Sequence, residues 1–272
     1  MNDRLGQLKT PPLLYTLVVI RFSEIQKMAD YVPDIQEELR RTYPNFDPTP
    51  INGVTIEHNP NGESKVTTNQ SMQWSFSDAE RQWGVLLQSN LLLFHTTQYE
   101  HFDDFGERLK SVLNIIKSKA DITHYHTLGL RYIDAIMPKS GRELSDYISD
   151  RLLPFQLTGI STSSGQSRSE HRYTNEQGVL CIRSHALDAG ETIPADIKDT
   201  ADQLTVQTPH SPGKFVILDT DHTHRLGESG KVQLQPFNIN VIVNTLDLMH
   251  KNASAAFKSA ITERALTEWS EG

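Results

Sequence analysis

The feature that most constrains the fold is a series of short apolar runs separated by tight-turn signals. The segment 83–97 (WGVLLQSNLLLFHTT) predicts two strands joined around Ser89 and Asn90, and the sequence Asn-Pro-Asn-Gly at 59–62 predicts a hairpin turn. Residues 13–22 are rich in β-branched and aromatic side chains and predict another strand. Strands that follow each other through tight turns pair in the antiparallel sense.

Apolar residues at helical spacing predict three longer helical segments. The first follows Ser23, its candidate N-cap, and has Pro33 in the first turn of a second helical piece. The second covers 99–119, and the third carries its apolar stripe over 239–261. Thr262 is a candidate cap for a last short helix.

This mixture of hairpins and helices predicts an α+β protein with two antiparallel-sheet-plus-helix lobes and a long C-terminal helix. We expect the lobes to cover residues 1–138 and 139–272, because a predicted strand stops at Pro138. Residues 189–213 are the least patterned segment and are expected to form a loop with one helical turn. The chain contains no GxGxxG, GxxxxGK[ST] or GxSxG motif, which argues against dinucleotide oxidoreductases, P-loop NTPases and standard α/β-hydrolases.

Composition narrows the class of partner. The 272 residues contain 26 Lys and Arg against 34 Asp and Glu, and this net charge of −8 argues against a protein that coats nucleic acid through its overall charge. The single cysteine, Cys181, is expected to be a small buried side chain. The apolar run 13–20 is too short to cross a bilayer and is followed by no cleavage-site pattern, so we expect a cytoplasmic protein without membrane contact.

Three segments, in their order along the chain, resemble a known family. They are TPPLLYTLVVIRF at 10–22, LGLRYIDAI at 128–136, which follows the helix YEHFDDFGERL at 99–109, and LDLMHKNASAAFKSAIT at 246–262. Together they resemble a sporadically distributed, uncharacterised prokaryotic family of about 260 residues. The family favours Asn where this chain has Asp134, and the resemblance implies, by analogy, a locus concerned with phage defence.

A dense group of possible metal ligands lies in FVILDTDHTHR at 215–225, namely Asp219, Asp221, His222 and His224. Side chains alternate along a strand, so the two aspartates share one face and the two histidines share the other. A bulge at the strand end could bring some of them together, and zinc or manganese sites use such ligands. The competing interpretation is a strand that leaves the core into a polar loop.

A candidate binding group lies in the predicted strand 124–138. Arg131 stands within an apolar run, followed by Tyr132 and Asp134. A buried guanidinium has five donors and needs a carboxylate partner or a bound anion. Arg131 is therefore predicted either to form a structural ion pair or to bind a phosphate or carboxylate ligand.

The helix at 99–119 carries a cluster of carboxylates. Glu100, Asp103, Asp104 and Glu107 fall at helical spacing, which could serve acid–base chemistry or bind magnesium. They also lie opposite the apolar stripe of that helix, which predicts an ordinary solvated face.

The leading functional hypothesis is a non-catalytic binding or adaptor protein in a defence-type locus. We expect a protein partner, with a homo-oligomer as one form of it, and no cofactor. One alternative is a metal-dependent hydrolase or nuclease that uses a divalent ion at 219–224. Another is single-stranded nucleic-acid binding on a sheet face, with Tyr125, Arg131, Tyr132 and Tyr173 as candidates, which the acidic composition makes less favoured.

Overall fold

The structure is a computed structural model. It describes residues 8–58, 64–155, 157–160, 165–207, 213–227 and 233–272, with the side chains of 53–69 outside that description. The strands are β1 Leu13–Phe22, β2 Asn45–His58, β3 Ser64–Ser77, β4 Trp83–Gln88, β5 Leu91–Thr96, β6 His124–Ile136, β7 Ser167–Asn175, β8 Gly178–Leu187, β9 Phe215–Arg225 and β10 Gln235–Pro236. The helices are α1 Met28–Leu39, α2 Phe102–Ala120, α3 Lys198–Ala201, α4 Ile239–Ala260 and α5 Glu263–Glu271.

All described strands belong to one antiparallel sheet. Its order is β2-β3-β4-β5-β1-β6-β9-β8-β7, with β10 paired to β6. The predicted α+β class with a long C-terminal helix is confirmed. β6 pairs with β1 on one side and β9 on the other, so the sheet is continuous across the expected division at residue 138. The division into two lobes stays a prediction.

The two halves of the sheet share a plan. In the first, β3, β4 and β5 form a meander that returns to β1 and is followed by α2. In the second, β7, β8 and β9 form a meander that returns to β6 and is followed by α4. The two halves join where the central strands β1 and β6 pair. The helices that follow the two meanders, α2 and α4, contact each other.

The sheet has two different covers. On the helix face, Val18, Leu130 and Tyr132 pack in one apolar cluster with side chains of α1, α2 and α4. On the opposite face, which we call the loop face, Ile133 and Ile217 pack beneath the segment 188–206. Alternate residues of each central strand therefore serve different cores.

Of three predictions about helix ends, two are wrong and one is confirmed. The prediction of Ser23 as an N-cap is wrong, because α1 begins at Met28 and the amide of Ile25 donates to the Ser89 carbonyl instead. Pro33 lies inside this single helix rather than opening a second piece. Thr262 does cap α5, since its hydroxyl accepts from the amide of Ala265.

After Pro138 the chain forms two single 3-10 turns, Leu144–Asp146 and Asp150–Leu152. The least patterned segment contains the one-turn helix α3 within its described part. The Asn-Pro-Asn-Gly turn at 59–62 lies outside the described residues, and β2 and β3 on either side of it pair in the antiparallel sense. In the described part of the chain, no helix combines the length and the hydropathy needed to span a bilayer.

Candidate binding cavity

A large cavity lies between the helix face of the sheet and the pair α2 and α4. Its volume is about 1080 Å³. The segment 8–13 and the loop 97–101 complete its walls. Ligand sites in proteins commonly have volumes of about 300–1,000 Å³ and lie between helices or where two structural units meet. The size and position of this cavity therefore suit a small organic molecule or an inserted side chain.

The floor of the cavity is made by the central strands. Tyr132 and Asp134 are alternate residues of β6, so both side chains point to the helix face. Tyr132 stands opposite Thr220 of β9 in the strand register, which brings Thr220 to the same floor. These three polar side chains lie at the centre of the sheet, at the meeting point of its two halves.

Two of the floor groups are buried without a partner. Thr220 is 1% exposed, and its hydroxyl makes no hydrogen bond to any described residue. Asp134 is 4% exposed, and its carboxyl makes no hydrogen bond to any described residue. Buried polar groups are nearly always hydrogen-bonded, and each one that is not costs about 1–3 kcal/mol. The floor therefore has unused capacity to bind a polar group.

The wall next to the floor is aromatic. The hydroxyl of Tyr132 lies 2.9 Å from Nδ1 of His250 and 3.4 Å from the hydroxyl of Tyr99. The ring of Phe102 stacks on His250 with centroids 5.0 Å apart and planes 10° from parallel. Burial raises the pKa of Tyr132 well above its ordinary value, so its hydroxyl stays protonated. The wall presents aromatic rings together with tyrosine hydroxyls and the imidazole of His250.

Burial also changes the charge of the floor. Desolvation, with a smaller effect from the negative charge of Asp219, raises the pKa of Asp134 to about 8. The carboxyl of Asp134 is therefore largely protonated at neutral pH. A cation placed beside it would favour the ionised form, and a hydrogen-bond acceptor would favour the protonated form.

The mouth of the cavity is acidic. Lys110 is paired with Glu107 at 2.6 Å, and Lys251 is paired with Asp247 at 2.5 Å. Glu100 and Asp103 also line the cavity, and neither forms an ion pair with a described residue. Lys9, which also lines the cavity, donates to the backbone carbonyl of Glu271. Glu100, Asp103, Glu107 and Asp247 thus outnumber Lys9, Lys110 and Lys251 by one charge.

Arg131 lies on the other side of the sheet from this cavity. Its Nε and Nη2 each donate to the carboxylate of Asp219 at 2.8 Å. Its Nη1 and Nη2 donate to Asp196 at 2.6 and 3.1 Å. The three residues predicted to bind a ligand are therefore divided, with Tyr132 and Asp134 in the cavity and Arg131 in an ion-pair network on the loop face.

The network on the loop face extends outward through Arg183. Its Nη1 donates to Asp219 at 3.2 Å, and its Nε donates to Glu170 at 2.8 Å. The hydrogen bonds from Arg131 lower the pKa of Asp196, and burial raises the pKa of Asp221. Each guanidinium has carboxylate partners within the chain, so this network has the character of a structural brace between β6, β9, β8 and β7.

The four predicted metal ligands are not brought together. Asp219 and Asp221 face Arg183 on the loop face. His222 faces α4, with its Nδ1 lying 3.3 Å from the carbonyl of Met249, and Nδ1 of His224 lies 3.0 Å from the carbonyl of Gln177. Nowhere in the described ranges do three or more His, Cys, Asp or Glu side chains form a group that could hold a metal ion.

The nucleic-acid candidates do not share an open surface either. Tyr125 and Tyr132 are buried on the helix face, and Arg131 is paired on the loop face. Tyr173, on β7, is 54% exposed. Cys181 is buried, and desolvation raises the pKa of its thiol, in agreement with a packed side chain.

Sequence reasoning missed part of the cavity. Glu100, Asp103, Asp104 and Glu107 are exposed, as predicted, but the prediction did not place three of them, Glu100, Asp103 and Glu107, at the mouth of a cavity. His250 and Asp247 come from α4, where Asp247, His250, Lys251 and Ser254 form a polar stripe beside the apolar one. That stripe at helical spacing was a usable signal, because a polar stripe next to an apolar one marks the border of a buried helix face.

Comparisons with known proteins add no relative to this description: no protein-family model matches the chain, and no curated protein is significantly similar to it.

Proposed function

We propose that this is a binding protein whose ligand, a small organic molecule or a single inserted side chain, lies in the cavity between the sheet and helices α2 and α4. The observation that carries the proposal is a pair of buried polar side chains on the cavity floor: the Thr220 hydroxyl makes no hydrogen bond to a described residue, and the Asp134 carboxyl has no ion-pair or hydrogen-bond partner among them. A ligand that hydrogen-bonds to them would recover the free energy lost in burying them, about 1–3 kcal/mol for each group.

The surroundings of these two groups support the same function. Ligand sites are mostly apolar and aromatic with a few placed polar groups. The aromatic side chains of Tyr99 and Phe102 stand beside the floor, and the apolar side chains of Val243 and Ala253 line the cavity from α4. An adaptor role through protein contacts, a cytoplasmic location and a defence-type locus remain predictions that are compatible with this proposal and are not required by it.

The proposal is tested by blocking the cavity. Ser254 lines it from α4 and is half-buried, whereas Ser259 lies on the exposed side of the same helix. Ser254→Trp would fill the cavity, and Ser259→Trp is the matched control with the same substitution. A library of small cationic, neutral and anionic fragments would be screened by ligand-observed NMR against the parent protein and both variants.

The proposal predicts fragments that bind the parent and Ser259→Trp but lose at least tenfold in affinity with Ser254→Trp. Unfolding curves of both variants establish that each is folded at the screening temperature. Fragments that bind all three proteins equally, or a library in which nothing binds the parent, would overturn the proposal.

A further inference from the structure

We infer that the ligand group seated on Asp134 is an organic cation, namely an ammonium or guanidinium group on an alkyl chain. This inference rests on the proposed function, because it assigns a chemical class to the ligand of the same cavity. It is carried by three separate features of the cavity: the partner that the floor lacks, the aromatic wall, and the charge of the mouth.

The first feature is that no cation of the described chain reaches Asp134. The nearest basic residue in the sequence, Arg131, points to the opposite face and is held by Asp219 and Asp196. The lysines that line the cavity from α2 and α4 are paired with carboxylates at the mouth. Buried carboxyl groups in proteins are normally paired or hydrogen-bonded, so the partner of Asp134 is expected to come from a ligand.

The second feature is the arrangement of aromatic rings around that carboxyl. Tyr99 and Tyr132 meet edge to face with centroids 5.5 Å apart, and Tyr99 also packs against Phe105. Tyr99, Phe102 and Tyr132 all line the cavity. Ring faces attract ammonium and guanidinium groups, by about 0.5–2 kcal/mol each according to how desolvated the cation is. A cavity that combines a carboxyl with such rings suits a cation better than it suits an anion.

The third feature is the sign of the charge at the mouth. Apart from Asp134 on the floor, four carboxylates line the cavity against three lysines: Glu100, Asp103, Glu107 and Asp247, with Lys9, Lys110 and Lys251. A cleft lined by one sign of charge raises the local concentration of ligands of the opposite sign. The excess of carboxylates therefore favours entry of a cation and disfavours entry of a phosphate or a carboxylate.

Binding of a cation should release a proton. The pKa of Asp134 is raised to about 8 by burial and by Asp219 across the sheet, so this carboxyl is largely protonated at neutral pH before a cation binds. The charged and titratable groups that line the same cavity are Lys9 before β1, Tyr99, Glu100 and His101 before α2, Asp103, Glu107 and Lys110 on α2, Tyr132 on β6, and Asp247, His250 and Lys251 on α4. Asp219 acts on Asp134 from the opposite face of the sheet. A bound cation lowers the pKa of Asp134, and the displaced proton passes to the buffer.

Isothermal titration calorimetry of the full chain tests the inference. The cationic probes are cadaverine and agmatine, and the neutral and anionic probes of similar length are pentane diol and glutarate. Each is titrated at several pH values and in two buffers of different ionisation enthalpy, which reports the protons released. An acetylated and amidated peptide with one lysine represents the side chain of a protein partner, whereas cadaverine represents a free amine. Whichever of the two resembles the natural ligand should bind more tightly.

The expected result is binding of the cations in preference to the diol and glutarate. Affinity should rise by up to about tenfold per pH unit below the pKa of Asp134, with close to one proton released per ligand at neutral pH. Asp134→Asn should weaken cation binding by at least tenfold and remove the pH dependence. Asp47→Asn is the matched control, because it removes the same charge from an exposed position on β2. It should leave the affinity for cations and the pH dependence of that affinity unchanged.

Two negative results can be told apart. If the diol, glutarate or neutral library fragments bind in a way that Ser254→Trp blocks, while no amine or guanidine does, then the cation assignment is wrong and the proposed function stands. If no probe of any charge binds the parent protein, the proposed function fails and the cation assignment fails with it.

Discussion

The hydroxyl of Tyr132 lies 2.9 Å from Nδ1 of His250, which joins the central strand β6 to helix α4 across the edge of the cavity floor. Tyr132 is 8% exposed, so this hydrogen bond lies away from bulk water. His250 is further held by the stacked ring of Phe102 from α2. The three elements that surround the cavity therefore meet at one imidazole.

Replacing Tyr132 by Phe should destabilise the protein by about 1 kcal/mol, because a buried hydrogen bond is lost while the ring packing is kept. Urea unfolding of Tyr132→Phe against the parent measures this change. Tyr173→Phe is the control, since Tyr173 is 54% exposed and should give a change near zero. Equal unfolding midpoints for the parent and both variants would show that the contact with His250 contributes nothing.

The raised pKa of Asp134 makes a prediction about stability and pH. The folded-state pKa of about 8 lies above the ordinary value of 3.8, so between these values the unfolded chain gives up a proton that the folded chain keeps. The stability that Asp134 contributes is fully present below its unfolded pKa and is lost as pH rises through the folded pKa.

Asp134→Asn should therefore gain stability relative to the parent as pH rises, by about 1 kcal/mol per pH unit across the middle of that window. The measurement is urea unfolding of both proteins at about pH 5 and about pH 8, without added ligand. For the exposed control Asp47→Asn, the difference in free energy of unfolding from the parent should not depend on pH in this way. If the free energies of unfolding of the parent and Asp134→Asn differed by the same amount at both pH values, the assigned protonation state of Asp134 would be wrong.

Arg131 should be essential for stability rather than for ligand binding. Its side chain is 10% exposed and is the bidentate partner of Asp219, whose side chain is 6% exposed. Arg131→Met leaves that carboxylate with only the longer contact from Arg183 and should cost roughly 3–5 kcal/mol.

The matched control for Arg131→Met is Arg40→Met. Arg40 forms an equally short pair with Glu37 on the surface of α1, with both side chains more than half exposed. An exposed pair of this kind contributes at most about 1 kcal/mol, so the control should unfold close to the parent. Similar losses in the two variants, measured by urea unfolding, would refute the role of Arg131 as a buried brace.

Gly84 should not tolerate a side chain. A Cβ at this position would lie 2.3 Å from Nε2 of His95, and His95 is held by the hydroxyl of Tyr15 at 2.7 Å from Nδ1. Burial lowers the pKa of His95 to about 3, so this ring stays neutral and fixed in the core.

Gly84→Ala should therefore cost about 1–3 kcal/mol through overpacking. Gly129→Ala, also within a strand, is the control, because its Cβ would meet Val19 at an ordinary 3.7 Å. Thermal unfolding of the two variants should place Gly84→Ala clearly below Gly129→Ala. The reverse order would mean that His95 can move aside without cost.

The features that the sequence predicted well are those with local causes. The β4–β5 hairpin follows from Ser89 and Asn90 between two apolar runs, and the cap of α5 follows from Thr262. The alternation that separates the aspartates from the histidines in 219–224 is also a local property of a strand. These features depend on neighbouring residues, so one sequence is enough to predict them.

The features that could not be predicted depend on distant pairing. Arg131 finds its partner 88 residues away in Asp219, and nothing near it in sequence indicates that choice. The cavity is likewise assembled from α2, α4 and the centre of the sheet, which meet only through the order of the strands. The prediction of Ser23 as a helix cap also failed for a tertiary reason, because the amide of Ile25 donates to the carbonyl of Ser89 on a distant part of the chain.

The most direct test of the central claim, that ligands bind in this cavity, is a methyl NMR titration of the labelled full chain with cadaverine and with neutral fragments. Val243 and Ala253 carry methyl groups that line the cavity, whereas Ala135 and Ile217 carry methyl groups in the core of the opposite sheet face. The account predicts saturable shifts at Val243 and Ala253 with little change at Ala135 and Ile217. Saturable shifts confined to Ala135 and Ile217, or no shift at any of the four with any probe, would contradict it.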